Sequence, residues 1–203
     1  FKQKTAYEIK ECDWSSDVCS SDLGAIYLAA GSISVIKGSI FQSNTAAGGN
    51  ALTTLLASAG VGRGGAIFLS SGTSIGQLSS TNFISNTTTG GNAAVATLLG
   101  GAAGTAFGSA IHLSNAPITS ITNCNFTSNS ATGGNAVTSI LGSFTGGNAG
   151  GTIYANGSAA IIGTISGTSF TSNLTTGGVG ANNARSEEHT SELQSHSFIS
   201  YAV

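Results

Sequence analysis

Between residues 24 and 184 the chain contains neither Asp nor Glu. The eight acidic residues are Glu8, Glu11, Asp13, Asp17, Asp22, Glu187, Glu188 and Glu192, all outside that stretch. The same stretch lacks Met and Trp, and Lys37 and Arg63 are its only cations, beside His112 and Cys124. Each absence excludes a chemistry. Glycoside hydrolysis ordinarily uses a pair of carboxyl groups. A calcium-dependent polysaccharide lyase needs charged oxygen ligands for its metal. A Ser-His-Asp triad lacks its third member, however many serines surround His112. The expectation is no enzyme activity in this stretch, no catalytic residue, no cofactor and no metal. Two cations are too few for a nucleic-acid footprint, and no apolar run reaches the ~18 residues of a membrane helix. Cys124 has no partner within the stretch and is expected as a buried free thiol in the core. His112 stands between Ile111 and Leu113, so it is expected to point out of a strand into solvent. Low charge does not mean disorder here, because 40% of the chain is hydrophobic.

The ends have a different character. Residues 185–195 read RSEEHTSELQS and residues 199–203 read ISYAV. Both resemble the translation of a common sequencing-library adapter. Lys2 to Ile9 and Asp13 to Leu23 resemble its reverse complement. The intervening residues, Ile9 to Cys12 and His196 to Phe198, fit one barcode and its reverse complement. A competing reading takes Ser186 as a helix N-cap before Glu187 and Glu188. We expect residues 1–23 and 185–203 to be adapter-derived, without structure of their own, and set them aside from the fold. On that expectation Cys12, Cys19 and Trp14 say nothing about redox chemistry or packing. The formal charge then changes from -2 to +2, from Lys37 and Arg63.

What remains is a repeat. Phe41-Gln-Ser-Asn44, Phe83-Ile-Ser-Asn86, Phe126-Thr-Ser-Asn129 and Phe170-Thr-Ser-Asn173 recur at a period of roughly 42 residues. A second motif keeps the same beat: Gly24-Ala-Ile26, Gly64-Gly65-Ala-Ile67, Gly108-Ser-Ala-Ile111 and Gly150-Gly151-Thr-Ile153. A third follows each Phe motif: Gly48-Gly49-Asn50, Gly90-Gly91-Asn92, Gly133-Gly134-Asn135 and a degenerate Gly177-Gly178. The four repeats are 24–63, 64–107, 108–149 and 150–184. Between the motifs lie strand-length runs with Ile33, Val35, Ile40, Ile118, Ile121, Ile161, Ile162 and Ile165 set among Ser, Thr and Gly. Leu52–Ala57, Val95–Leu99 and Val137–Leu141 fit either a further strand or a brief helical turn.

One such repeat cannot bury its apolar face alone; stacked copies can, at about 4.8 Å per strand. The expected fold is all-β, a right-handed parallel β-helix without caps. Its Phe residues form an internal column, each worth roughly 1.5–3 kcal/mol when buried. Each Asn stands at a bend and bonds to the next coil. Paired glycines supply positive φ at the corners. The long period favours two coils per repeat, one of them short.

These FxxN and GGA[ILV] motifs resemble the paired repeat signatures of the polymorphic outer membrane proteins of chlamydiae and related giant surface proteins. All four FxxN copies are intact, whereas the GGA copies vary. The resemblance spans 24–184. It implies an extracellular passenger region, often of an autotransporter, projecting from a cell surface and contributing to adhesion. It also implies an outer-membrane location in a bacterium, a host-cell or glycan surface as partner, and continuation into further coils. The residues it marks are structural: Phe41, Asn44, Phe83, Asn86, Phe126, Asn129, Phe170, Asn173, Gly64, Gly65, Gly150 and Gly151. The alternative is a non-catalytic part of a carbohydrate-active, pectate-lyase-like β-helix enzyme whose carboxylates lie outside the stretch. An ice-binding face is disfavoured, because Ala46-Ala47 and Ser130-Ala131 interrupt the Thr row of Thr87–Thr89 and Thr175–Thr176. The glycine motifs lack the strand-to-helix context of a phosphate loop.

Overall fold

The computed structural model describes residues 24–51, 58–93, 102–136 and 145–180. Every regular element within them is a strand. The first repeat contributes β1 (Ile26–Leu28), β2 (Ser32–Lys37), β3 (Ile40–Gln42), β4 (Thr45–Ala47) and β5 (Gly62–Arg63). The second contributes β6 (Ile67–Leu69), β7 (Ser74–Ser79), β8 (Asn82–Ile84), β9 (Thr87–Thr89) and β10 (Ala106–Phe107). The third contributes β11 (Ile111–Ser114), β12 (Ile118–Thr122), β13 (Asn125–Thr127) and β14 (Ser130–Thr132). The fourth contributes β15 (Ile153–Asn156), β16 (Ile162–Ser166), β17 (Ser169–Thr171) and β18 (Leu174–Thr176).

Each strand pairs in parallel with its counterpart one repeat away, as in Ile26↔Ile67, Phe41↔Phe83 and Thr45↔Thr87. The result is a parallel β-helix with four four-stranded faces: A (β1, β6, β11, β15), B (β2, β7, β12, β16), C (β3, β8, β13, β17) and D (β4, β9, β14, β18). A narrower face E joins β5, β10 and a bridge at Ala149. This corrects the expectation of two coils per repeat. Consecutive repeats lie one strand spacing apart on all faces, so each repeat is one coil. Gly49 bonds to Gly60, Gly91 to Gly104 and Gly134 to Gly147, and the surplus length of each repeat falls between these pairs. The ambiguous segments Leu52–Ala57, Val95–Leu99 and Val137–Leu141 lie outside the described residues.

Stacking makes the core. Leu78 and Ile121, in the middle coils, are fully buried, while their register partner Ile165 in the fourth is 48% exposed. Faces A, B and C enclose Ile67, Leu69, Ile75, Leu78, Phe83, Ile111, Leu113, Ile118, Ile121 and Phe126. Faces D and E close on a thinner interior, where Ala106, Ala131 and Ala149 touch. On face B the inward side chains are Ile75 and Leu78, then Ile118 and Ile121, three residues apart rather than two. The ladder skips one pair midway along each strand. Strict alternation therefore fails there, and Val35, set between Ile33 and Ile36, faces outward at 52% exposure.

The corners match the expectation only in part: Gly64 of the Gly64-Gly65 pair has a positive φ. The Gly-Gly-Asn glycines do not carry the positive φ; in each FxxN motif the serine before Asn does, at Ser43, Ser85, Ser128 and Ser172, with φ between 52° and 55°. At the other motif, Gly64 and Gly108 are left-handed, with φ 62° and 68°. The Gly-Gly-Asn glycines serve close approach instead. Gly60 N–H donates to Gly49 O at 2.7 Å, Gly91 to Gly60 at 3.0 Å, Gly104 to Gly91 at 2.8 Å and Gly134 to Gly104 at 2.9 Å. Gly147 then donates to Gly134 at 2.7 Å and Gly178 to Gly147 at 2.9 Å. Outgoing and returning backbones thus zip together into a neck. A Cβ on Gly91 would collide with the Gly49 carbonyl, and one on Gly104 with that of Gly60.

Candidate functional site

The FxxN residues occupy the interior of face C. Phe41, Phe83, Phe126 and Phe170 stack with centroids 4.9, 4.6 and 4.8 Å apart and planes within 8°. That spacing is the strand spacing, so the expected aromatic column forms without side-chain strain. At the adjoining corner each Asn bonds to the next. Asn44 Nδ2 donates to Asn86 Oδ1 at 2.8 Å, Asn86 Nδ2 to Asn129 Oδ1 at 2.8 Å and Asn129 Nδ2 to Asn173 Oδ1 at 2.9 Å. The second amide proton reaches back to a Phe carbonyl, from Asn86 to Phe41, Asn129 to Phe83 and Asn173 to Phe126. Asn86 and Asn129 are fully buried, whereas Asn44, Phe170 and Asn173 in the outer coils are half-buried, and the contacts described for all eight residues are made within the stack.

The Gly-Ala-Ile motifs are structural as well. A Cβ on Gly65 would collide with the carbonyl of Ser109, and the space beside Gly150 is filled by the rings of Tyr154 and Phe107. Gly151 O accepts from Ser109 N–H at 3.1 Å. Cys124 is a free, fully buried thiol. Its Sγ bonds to the carbonyls of Thr122 and Leu78, and burial pushes the thiol above its ordinary pKa.

Two features lie outside this scaffold. The first is a groove of about 380 Å³ along the stacked Gly-Gly-Asn segments. Its walls repeat by coil: Ala47, Gly48 and Asn50; Thr89, Gly90 and Asn92; Thr132, Gly133 and Asn135. Asn50 Oδ1 accepts from Asn92 N–H at 2.7 Å, Asn92 Oδ1 from Asn135 N–H and Asn135 Oδ1 from Val179 N–H, both at 2.8 Å. That fixes three exposed amides one coil apart. Their NH₂ groups, each a donor of two protons, make no hydrogen bond among the described residues. Among the described residues no charged side chain lines the groove.

Comparison with protein-family models, curated proteins and solved structures finds no match for this chain.

The second feature is on the outer side of face A, where the expectation for His112 needs correction. It does point away from the core, opposite Ile111 and Leu113, yet it is only 2% exposed. The register places Tyr27, Phe68, His112 and Tyr154 in one column. Phe68 stacks on the imidazole at 5.0 Å, and Phe107 and Tyr154 meet it edge-on at 5.9 and 5.4 Å. Neither ring nitrogen has a hydrogen-bond partner among the described residues. Burial, then the nearby Arg63 charge, lowers its pKa from 6.5 to about 4. Sequence reasoning missed this enclosure because Phe107 comes from face E, and only the coil's closure brings it beside face A. Among the described residues no three His, Cys, Asp or Glu side chains gather where they could hold a metal.

Proposed function

We propose that this chain is part of a repetitive extracellular surface module with a structural or adhesive role, related to the polymorphic outer membrane repeats that its motifs resemble. The observation carrying the adhesive part is the Gly-Gly-Asn groove, in which uncharged amide donors recur once per coil. Fixed donors without charge suit the hydroxyl and ring oxygens of a glycan, which accept hydrogen bonds and carry no charge to be matched. Attachment through such a groove gains from repetition, because each further coil adds another weak contact on one ligand chain.

A glycan array and a host-cell adhesion assay on the whole chain test this reading. Binding is expected, with a loss of about tenfold or more in the combined Asn92→Ala and Asn135→Ala variant, in line with about 0.5–1.5 kcal/mol for each hydrogen bond removed. Failure of the unaltered chain to bind any glycan or cell would sink the adhesive role. Binding that survives both substitutions would move it away from the groove.

A further inference from the structure

We propose that the seam around His112, where face E meets face A, is an acid-released joint: protonating the enclosed imidazole loosens β11 from β6, β15 and β10 while face D stays closed. The geometry carries the proposal. Phe68 on β6, Phe107 on β10 and Tyr154 on β15 wall in the ring. A neutral imidazole tolerates such a site, although its two nitrogens go unpartnered. An imidazolium would bring two N–H donors and a positive charge with no acceptor to receive them.

The groups facing it give no relief. Arg63 on β5 is the charged group acting on the ring, and it is repulsive. Tyr154 contributes a phenol, neutral in acid, and Phe68 and Phe107 contribute hydrocarbon. No carboxylate exists between residues 24 and 184 to form an ion pair. Among the described residues nothing accepts the charged ring's protons, so it gains partners by reaching water, and the seam parts for it to do so.

The sign follows from linkage. His112 is protonated near 6.5 in the unfolded chain and near 4 in the folded one. Its contribution is complete above 6.5, declines as pH falls between 6.5 and 4, and is constant below. Over that window the gap corresponds to about 300-fold in the equilibrium between closed and open forms.

The position also suggests its own control. The register equivalents of His112 are Tyr27, Phe68 and Tyr154, so His112→Phe restores what neighbouring coils already hold. The experiment compares the whole chain with this variant by NMR and by amide exchange between pH 7 and 4. In the unaltered chain the His112 ring resonance, assigned by its absence from the variant, is expected to titrate near 4. Protection of Ile67–Leu69, Ile111–Ser114 and Ile153–Asn156 should fall with acid while that of Thr87–Thr89 persists. In His112→Phe the seam should stay protected. A ring that titrates between 6 and 7, or protection lost equally on all faces, overturns the proposal. So does an unchanged pH response in the variant. If His112→Phe does not fold, the ring titration and the exchange pattern of the unaltered chain still decide the matter.

Discussion

Asn129 shows how much one side chain holds in this fold. Its Oδ1 accepts from both the backbone N–H and the Nδ2 of Asn86. Its Nδ2 donates to Asn173 Oδ1 and Phe83 O. Asn129→Ala leaves buried donors and acceptors on two neighbouring coils without partners, at about 1–3 kcal/mol each. We predict a loss of about 3–5 kcal/mol in urea unfolding. Asn125→Ala, which removes two exposed bonds, from its Nδ2 to Asn82 and from the Ser169 hydroxyl to its Oδ1, should cost about 1 kcal/mol or less, because water replaces both partners. The two asparagines are close in sequence, so equal losses would refute the ladder's role. Ser128 offers a test of opposite sign. Its φ of 54° costs a side-chain-bearing residue roughly 1–2 kcal/mol. Ser128→Gly removes that cost and pays back about 0.5–1 kcal/mol in chain entropy. A net gain of about 0.5–1 kcal/mol is expected, read as a raised urea midpoint, with a loss for Ser128→Val.

At the scale of the element, the glycine neck behaves differently from the glycine corners. A side chain on Gly91 meets backbone carbonyls of the preceding coil, which cannot rotate away. Gly91→Ala is expected to cost about 3 kcal/mol or more. Gly72, with φ 81° and open space around it, should lose only about 1–2 kcal/mol on the same change. Thermal unfolding of both variants checks the order. The Gly90-Gly91-Asn92 motif marks Gly91 in the sequence as a repeat position, but not that its role is close approach rather than a positive φ. The Phe column and the Asn ladder could be foreseen, because FxxN recurs at one period and stacked copies must place like on like. The single coil could not, because a chain of ordinary strand signals does not mark where it leaves the coil and returns. Gly60 and Gly104 carry no motif, and the Gly146-Gly147-Asn148 around Gly147 reads like the outgoing Gly-Gly-Asn segments. The enclosure of His112 was hidden for the same reason: alternation along β11 gives the direction of a side chain, whereas its cover comes from a strand whose place depends on the neck.

For the whole molecule, the missing carboxylates alter how the fold meets its solvent. Lys37 and Arg63 have no anion opposite them within the stretch, so there is no ion-pair network for salt to screen. The urea midpoint should stay nearly constant up to about 1 M NaCl, where screening is nearly complete at about 3 Å; a marked fall would mean that charges in residues 1–23 or 185–203 support the fold. Acid should act in a single step between 6.5 and about 4, with no further carboxylate-driven decline below it. A second acid transition in a pH titration followed by circular dichroism would count against that. The neck has a consequence for variation in length. From Phe41 to Gly49, and from Phe83 to Gly91, the spacing is the same, whereas Gly91 to Gly104 is longer than Gly49 to Gly60. Because the zipper shuts each coil before the chain departs, insertions beyond it leave the register of every face untouched. The number of residues per coil can therefore drift while the pitch stays fixed, since the faces are keyed to the zipper and not to chain length.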